Sequence, residues 1–211
     1  MFDFSHGQRG YAANGIELHP VLDIVFDDVS APSAVSALSV AAPRAMSARM
    51  APAQLIKDPS FEAGPKSAAW SASPGVITDS NSEPAHAGKW KAWLGGTGTA
   101  HTDNLSQVVT IPSSAKSAQL SFWLRISTDE VTATREYDTL QVLVKDGSGP
   151  AVPVDDEEGS TFSNLDATAY GRRVFDLTKF AGHKVTIIFT AREDKGKATS
   201  FLIDDVQLVT R

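Results

Sequence analysis

The chain has 211 residues, 42 % hydrophobic and 21 % charged, with a formal charge of −6, a balance that supports an ordinary packed core in one large domain or one domain with attachments. It contains no cysteine, which excludes disulfides, zinc–thiolate sites and cysteine nucleophiles. Scattered cations on an acidic chain argue against nucleic-acid binding, and no apolar run approaches the roughly 18 residues of a membrane span.

The opening "MFDFSHGQRG" lacks the basic and apolar regions of a signal peptide, so the chain is expected either not to be exported or to be an excised piece of a longer protein. "GIELHPVLDIVF" reads as a strand with no partner core of its own, which makes residues 1–28 the expected tail of a truncated upstream domain. "HGQRGYAANGIELHPVLDI" looks similar to the closing segment of uncharacterised domains in bacterial secreted proteins, a resemblance that gives no function. His6 and His19 read more simply as surface or turn histidines than as members of a site. Residues 29–53 are dominated by Ala, Ser and Pro, contain no acidic residue and are interrupted by Pro32, Pro43 and Pro52. That is linker composition.

Residues 54–211 read as a chain of short strands. "AAWSAS", "KWKAWL", "LSQVVTI", "AQLSFWLRI", "DTLQVLVKD", "RRVFDL", "KVTIIFTAR" and "TSFLIDDVQLV" are rich in Val, Ile, Phe, Trp and Thr and are mostly separated by Gly, Pro, Asn, Asp or Ser. Apart from a turn at "DLTKFAG", no helix interrupts them. An all-β antiparallel two-sheet β-sandwich of jelly-roll type is the expected architecture. In the last strand, period-2 alternation puts Asp204 with Leu202, Val206 and Leu208, and Asp205 with Ile203, Gln207 and Val209. Asp204 is then the carboxylate on the more apolar face, and a buried carboxylate requires a partner.

The same alternation sorts the tryptophans. Trp90 sides with Ala92 and Leu94, leaving Trp93 with Lys89 and Lys91; Leu120, Phe122, Leu124 and Ile126 face inward, leaving Trp123 with Ser121 and Arg125. Trp90 is expected in the core on this parity; Trp70, in "AAWSAS", is expected there as well, as the resemblance given below implies. Trp93 and Trp123, with Arg125 and Tyr137 as neighbours, form a candidate ligand platform; the competing expectation is a loop that covers the two rings. No H-E-x-x-H, G-x-S-x-G or phosphate-cradling glycine motif occurs, and His86, His101 and His183 have no triad-like spacing, so no catalysis is expected. His101, Thr102, Asp103 and Asp138 read as turn formers or, less simply, as a second cation or polar-ligand site, and the acidic run Asp155 to Glu158 reads as a solvated loop.

"LIKDPSFEAG", "AHAGKWKAWLGG", "LSQVVTIP", "AQLSFWLRI", "FDLTKFAGHKVTIIFTA" and "FLIDDVQLV", in that order, resemble the jelly-roll accessory domains at the C-terminus of secreted bacterial peptidases and other hydrolases. Those domains are similar to carbohydrate-binding modules of the galactose-binding-like class. The resemblance spans residues 54–211. It implies a structural calcium tying the first strand region to the last, held by the carboxylates of Glu62 and Asp204 and the main-chain carbonyls of Ser60 and Lys89; calcium takes about six to eight oxygens. It further implies a non-catalytic module of a secreted, multidomain bacterial protein that holds a parent catalytic domain of the same polypeptide near a polysaccharide or cell-surface glycan. The alternative is a structural or interaction domain that packs on or spaces the parent hydrolase and takes no small ligand.

Overall fold

A computed structural model describes residues 51–155 and 159–211. The expectations for residues 1–28, for the linker up to residue 50 and for Asp156, Glu157 and Glu158 lie outside the described residues.

Strong β-formers on an alternating pattern build two antiparallel sheets. The first contains β1 (Ala53–Gln54), β3 (Ile77–Thr78), β4 (Lys91–Gly95), β6 (Ala118–Thr128), β10 (Thr168–Asp176) and β12 (Thr199–Thr210). Its order is β10-β6-β12-β4-β3, with β1 pairing the far end of β12. The second contains β2 (Ser71–Ala72), β5 (His101–Thr110), β7 (Thr139–Asp146), β8 (Ala151–Pro153), β9 (Thr161–Ser163) and β11 (Lys184–Glu193), in the order β2-β5-β11-β7-β8 with β9 also on β7. The turn expected at "DLTKFAG" is a 3-10 turn over Thr178–Phe180. The fold is the β-sandwich expected from the sequence. The sequence shows no separate strand for β1, β3, β8 or β9, because two or three residues are too few to display a period.

Inward positions follow the alternation. Leu120, Phe122, Leu124 and Ile126 of β6 face Leu140, Val142 and Val144 of β7 and Val185, Ile187 and Phe189 of β11 in one core. Phe122 and Phe189 meet edge to face across the two sheets, with centroids 5.0 Å apart. Each fully buried Leu, Ile or Phe contributes about 1.5–3 kcal/mol. Trp70 is buried, as the resemblance implies, and Trp90 is half-buried against the core, as its parity requires.

β12 departs from its predicted parity. It pairs with β6 up to Asp204↔Trp123 and resumes at Gln207↔Ser121. Between them Asp205 has a φ of 49°, so one extra residue is accommodated in a bulge. Ile203, Val206 and Leu208 therefore all reach the core. Asp204 is correspondingly on the outward face of the first sheet with Leu202, not on the face of Val206 and Leu208. It is nevertheless completely buried, because residues 79–90 lie over it. Val206 N–H donates to Pro59 O at 2.8 Å and Leu55 N–H to Leu208 O at 2.9 Å, so the beginning of the domain clamps its end.

Candidate functional site

The outward face of the first sheet carries Lys91, Trp93, Trp123, Arg125 and Asp204, and the 79–90 segment is strapped across it. Its side chains and backbone explain why. His86 stacks on Trp123 with centroids 4.0 Å apart and planes 16° from parallel. The His86 Nδ1 is 2.7 Å from Asp205 Oδ2, Arg125 pairs with Glu83, and the Tyr170 hydroxyl donates to Pro84 O at 3.0 Å. Lys91, fully buried, donates from Nζ to Ser80 O at 2.7 Å; its burial pushes the ammonium below its usual range.

The predicted ligand residues are therefore only partly assembled. Trp93, Trp123 and Arg125 share one face, as their parity requires, but the strap covers Trp123 with an imidazole and Arg125 with a carboxylate. Tyr137 stands apart, in the connection leading into β7, with Arg135 over its ring at 4.9 Å and its N–H bonded to Asn164 Oδ1.

Glu62 and Asp204 grip the two ends of one short segment. Asp204 Oδ2 accepts the N–H groups of His86 and Ala87 at 2.9 and 3.1 Å, and Oδ1 accepts that of Asp205 at 2.8 Å. Glu62 Oε1 accepts the N–H groups of Lys89 and Trp90 at 2.8 and 2.9 Å. Burial raises the Asp204 carboxyl to about 6, against the pull of those N–H donors. Among the described residues no three His, Asp or Glu side chains group as a metal site. The chemistry of the donors still fits calcium: Asp204 Oδ1 accepts one N–H, and Glu62 Oε2 has no partner among the described residues, so lone pairs remain on both carboxylates. The rest of the shell would come from carbonyls, with Ser60 and Lys89 the expected contributors.

His101, Asp103 and Asp138 are committed to shaping the sandwich end. Glu193 accepts Thr97 N–H, Gly98 N–H and Thr199 N–H, and His101 lies 3.4 Å from Glu193 and 3.1 Å from Asp103. Asp103 accepts Gly95 N–H at 3.0 Å. Asp138 is buried and accepts from Thr199 Oγ1 at 2.6 Å and Asp194 N–H at 2.8 Å. Thr102 is not part of this cluster; it faces outward and is exposed.

Among the described residues, no segment is strapped across the outward face of the second sheet as 79–90 is across the first. Register aligns its side chains in four cross-strand rows on β5, β11 and β7: Thr102–Arg192–Thr139, Asn104–Thr190–Gln141, Ser106–Ile188–Leu143 and Val108–Thr186–Lys145. Every one of these residues is exposed or half-exposed. Thr161 of β9 extends the second row beside Gln141. Within that row Thr190 Oγ1 donates to Asn104 Oδ1 at 3.0 Å, which leaves the Asn104 Nδ2 donors and the whole Gln141 amide without partners among the described residues. The third row is apolar at Ile188 and Leu143 and runs into a groove of about 330 Å³ lined by Lys57, Ala68, Ala69, Trp70, Ser71, Ser106, Gln107 and Val108. Sequence reasoning overlooked this face because it sought aromatic rings. The signal was present in the polar half of the alternation, in "HTDNLSQVVT", "TLQVLVKD" and "KVTIIFTARE".

No protein-family model and no curated protein matches the chain. Among solved structures, the carbohydrate-binding module TmCBM61, determined with β-1,4-galactotriose, is 18 % identical with a TM-score of 0.52, over 75 % of this chain and 99 % of that one. The enzymatically active domain of tailspike protein 4 from bacteriophage CBA120 is 13 % identical with a TM-score of 0.49, over 75 % and 21 % of the respective chains. The Caldicellulosiruptor saccharolyticus module CBM27-1, solved with mannohexaose, is 12 % identical with a TM-score of 0.46, over 75 % and 96 %. The chain thus has the β-sandwich fold of the TmCBM61 module.

Proposed function

We propose that the chain is a non-catalytic carbohydrate-binding module whose glycan lies across the outward face of the second sheet. The observation that carries this reading is the pairing of the Asn104–Thr190–Gln141 row, whose amide donors have no partner among the described residues, with the neighbouring apolar row of Ile188 and Leu143. A pyranose chain presents both hydroxyls and C–H surface, and adjacent polar and apolar rows meet both requirements. The fold shared with TmCBM61, a module solved with galactotriose, supports the same reading. The parent protein is a secreted, multidomain bacterial one in which the module holds a catalytic domain near its polysaccharide. A calcium held by Glu62 and Asp204 closes the sandwich and takes no part in chemistry.

Affinity electrophoresis of the full chain through gels containing soluble polysaccharides tests the reading. A binding polysaccharide should retard the protein, and Asn104→Ala and Gln141→Ala should each weaken retardation about 2- to 10-fold, the net worth of one or two hydrogen bonds. Retardation by no polysaccharide, or unchanged retardation of both variants, would overturn it.

A further inference from the structure

We infer that the glycan taken by this face is acidic, carrying uronate carboxylates along its chain; the inference rests on the binding reading above and names its ligand class. The protein has a net charge of −6, yet the outward positions of β5, β7 and β11 carry no carboxylate. Their charged residues are Lys145, Lys184 and Arg192, and the adjoining groove adds Lys57. None of the four has an ion-pair partner among the described residues. On the opposite sheet Arg125 is neutralised by Glu83, the buried Lys91 ammonium is spent on Ser80 O, and Arg172, which has no ion pair among the described residues, donates to Ser121 Oγ. Positive charge that has no ion-pair partner among the described residues attracts an anion to its face and repels cations from it.

The spacing suits an extended anion. Arg192 and Lys145 stand on the first and fourth rows, about 20 Å apart at roughly 3.3 Å per residue, with neutral amides and hydroxyls between them. A polyuronate whose ring hydroxyls meet Asn104, Thr190 and Gln141 while its carboxylates reach the two ends matches that pattern, and Arg192 offers a planar fork for a carboxylate. Asp155, exposed in the connection from β8 to β9, belongs to the edge and not to the rows.

The test is binding of the full chain to four probes of matched length: polygalacturonate, neutral β-1,4-galactan, a sulfated galactan and double-stranded DNA. The expected result is preference for polygalacturonate, a loss of about tenfold on Arg192→Glu with Lys145→Glu, and weakening as salt rises to about 0.15 M and beyond. Binding of the neutral galactan alone, with no salt dependence, would overturn the charge assignment and leave the module reading standing. Equal binding of the sulfated galactan or DNA would overturn the carboxylate assignment. Binding of no probe would overturn the acidic-glycan assignment and leave the module reading to the electrophoresis above.

Discussion

His101 is the residue whose surroundings translate most directly into a measurement. Its ring lies between Asp103 and Glu193, its Nδ1 donates to Thr99 O at 2.7 Å, and Thr97 Oγ1 is 3.2 Å from the same nitrogen. The hydrogen bond to Thr99 O, with the help of Asp103 and Glu193, raises its pKa above 6.5. A raised imidazole means that the folded state binds the proton more tightly. The stability it contributes is fully present below 6.5 and is lost as pH rises through the higher folded value. Thermal melts across that range should show His101→Gln less stable than the parent in mild acid and equal to it in alkaline buffer. A difference that stays constant with pH would contradict this. At this scale the sequence was partly legible. Parity placed Trp93 and Trp123 outward correctly, because two intact strands fix the faces of their residues. It did not reveal that His86, far upstream of Trp123, would take the stacking place on the ring. A loop's destination is set by tertiary contacts that no local pattern encodes.

Among the elements, the 79–90 strap depends on how closely Glu62 approaches its backbone. Gly88 has a φ of 64°, and a Cβ there would lie 2.3 Å from Glu62 Oε1. Gly88→Ala must therefore adopt a left-handed conformation and also displace the carboxylate that receives Lys89 and Trp90, a cost of about 2–4 kcal/mol. Gly75 has a φ of 85°, and a Cβ added there would meet nothing within 4 Å, so Gly75→Ala bears only the first penalty. Urea unfolding of Gly88→Ala and Gly75→Ala should differ by the worth of the Glu62 clamp, and equal losses would show that the clamp contributes nothing. The last strand shows where periodicity stops working. "FLIDDVQLV" reads as unbroken alternation, but the bulge at Asp205 inverts every face assignment after it. A single residue at positive φ leaves no mark in a hydrophobic pattern, and Asp tolerates that region better than most.

For the whole molecule, closure of the first strand region on the last was anticipated through "SFE" and "IDD", and the chain does meet itself there: Glu62 and Asp204 hold neighbouring peptide groups of one segment. If calcium completes that closure, the folded state alone owns the assembled site and chelation lowers the melting temperature by linkage. Melts with calcium and with EDTA should separate. Glu62→Ala and Asp204→Ala should each abolish the separation while Asp205→Ala retains most of it. Superimposed curves would show that peptide N–H donors satisfy the two carboxylates unaided. The sandwich itself was legible in its long strands, because a strand with one buried face repeats the same signal many times. The binding face was not. Its evidence is a juxtaposition of rows from three strands far apart in sequence, and register between distant strands is a property of the folded sheet.

One measurement separates the two faces most directly. A nitrogen–proton correlation spectrum of the full chain resolves the indole N–H of Trp93 and Trp123 and the side-chain amides of Asn104 and Gln141. During titration with oligomers of the best-retained polysaccharide, the Asn104 and Gln141 amides should shift with one common affinity while the two indoles remain in place. Movement of the Trp93 and Trp123 indoles with silent amides would contradict a glycan on the second sheet, and would put it beneath the 79–90 strap.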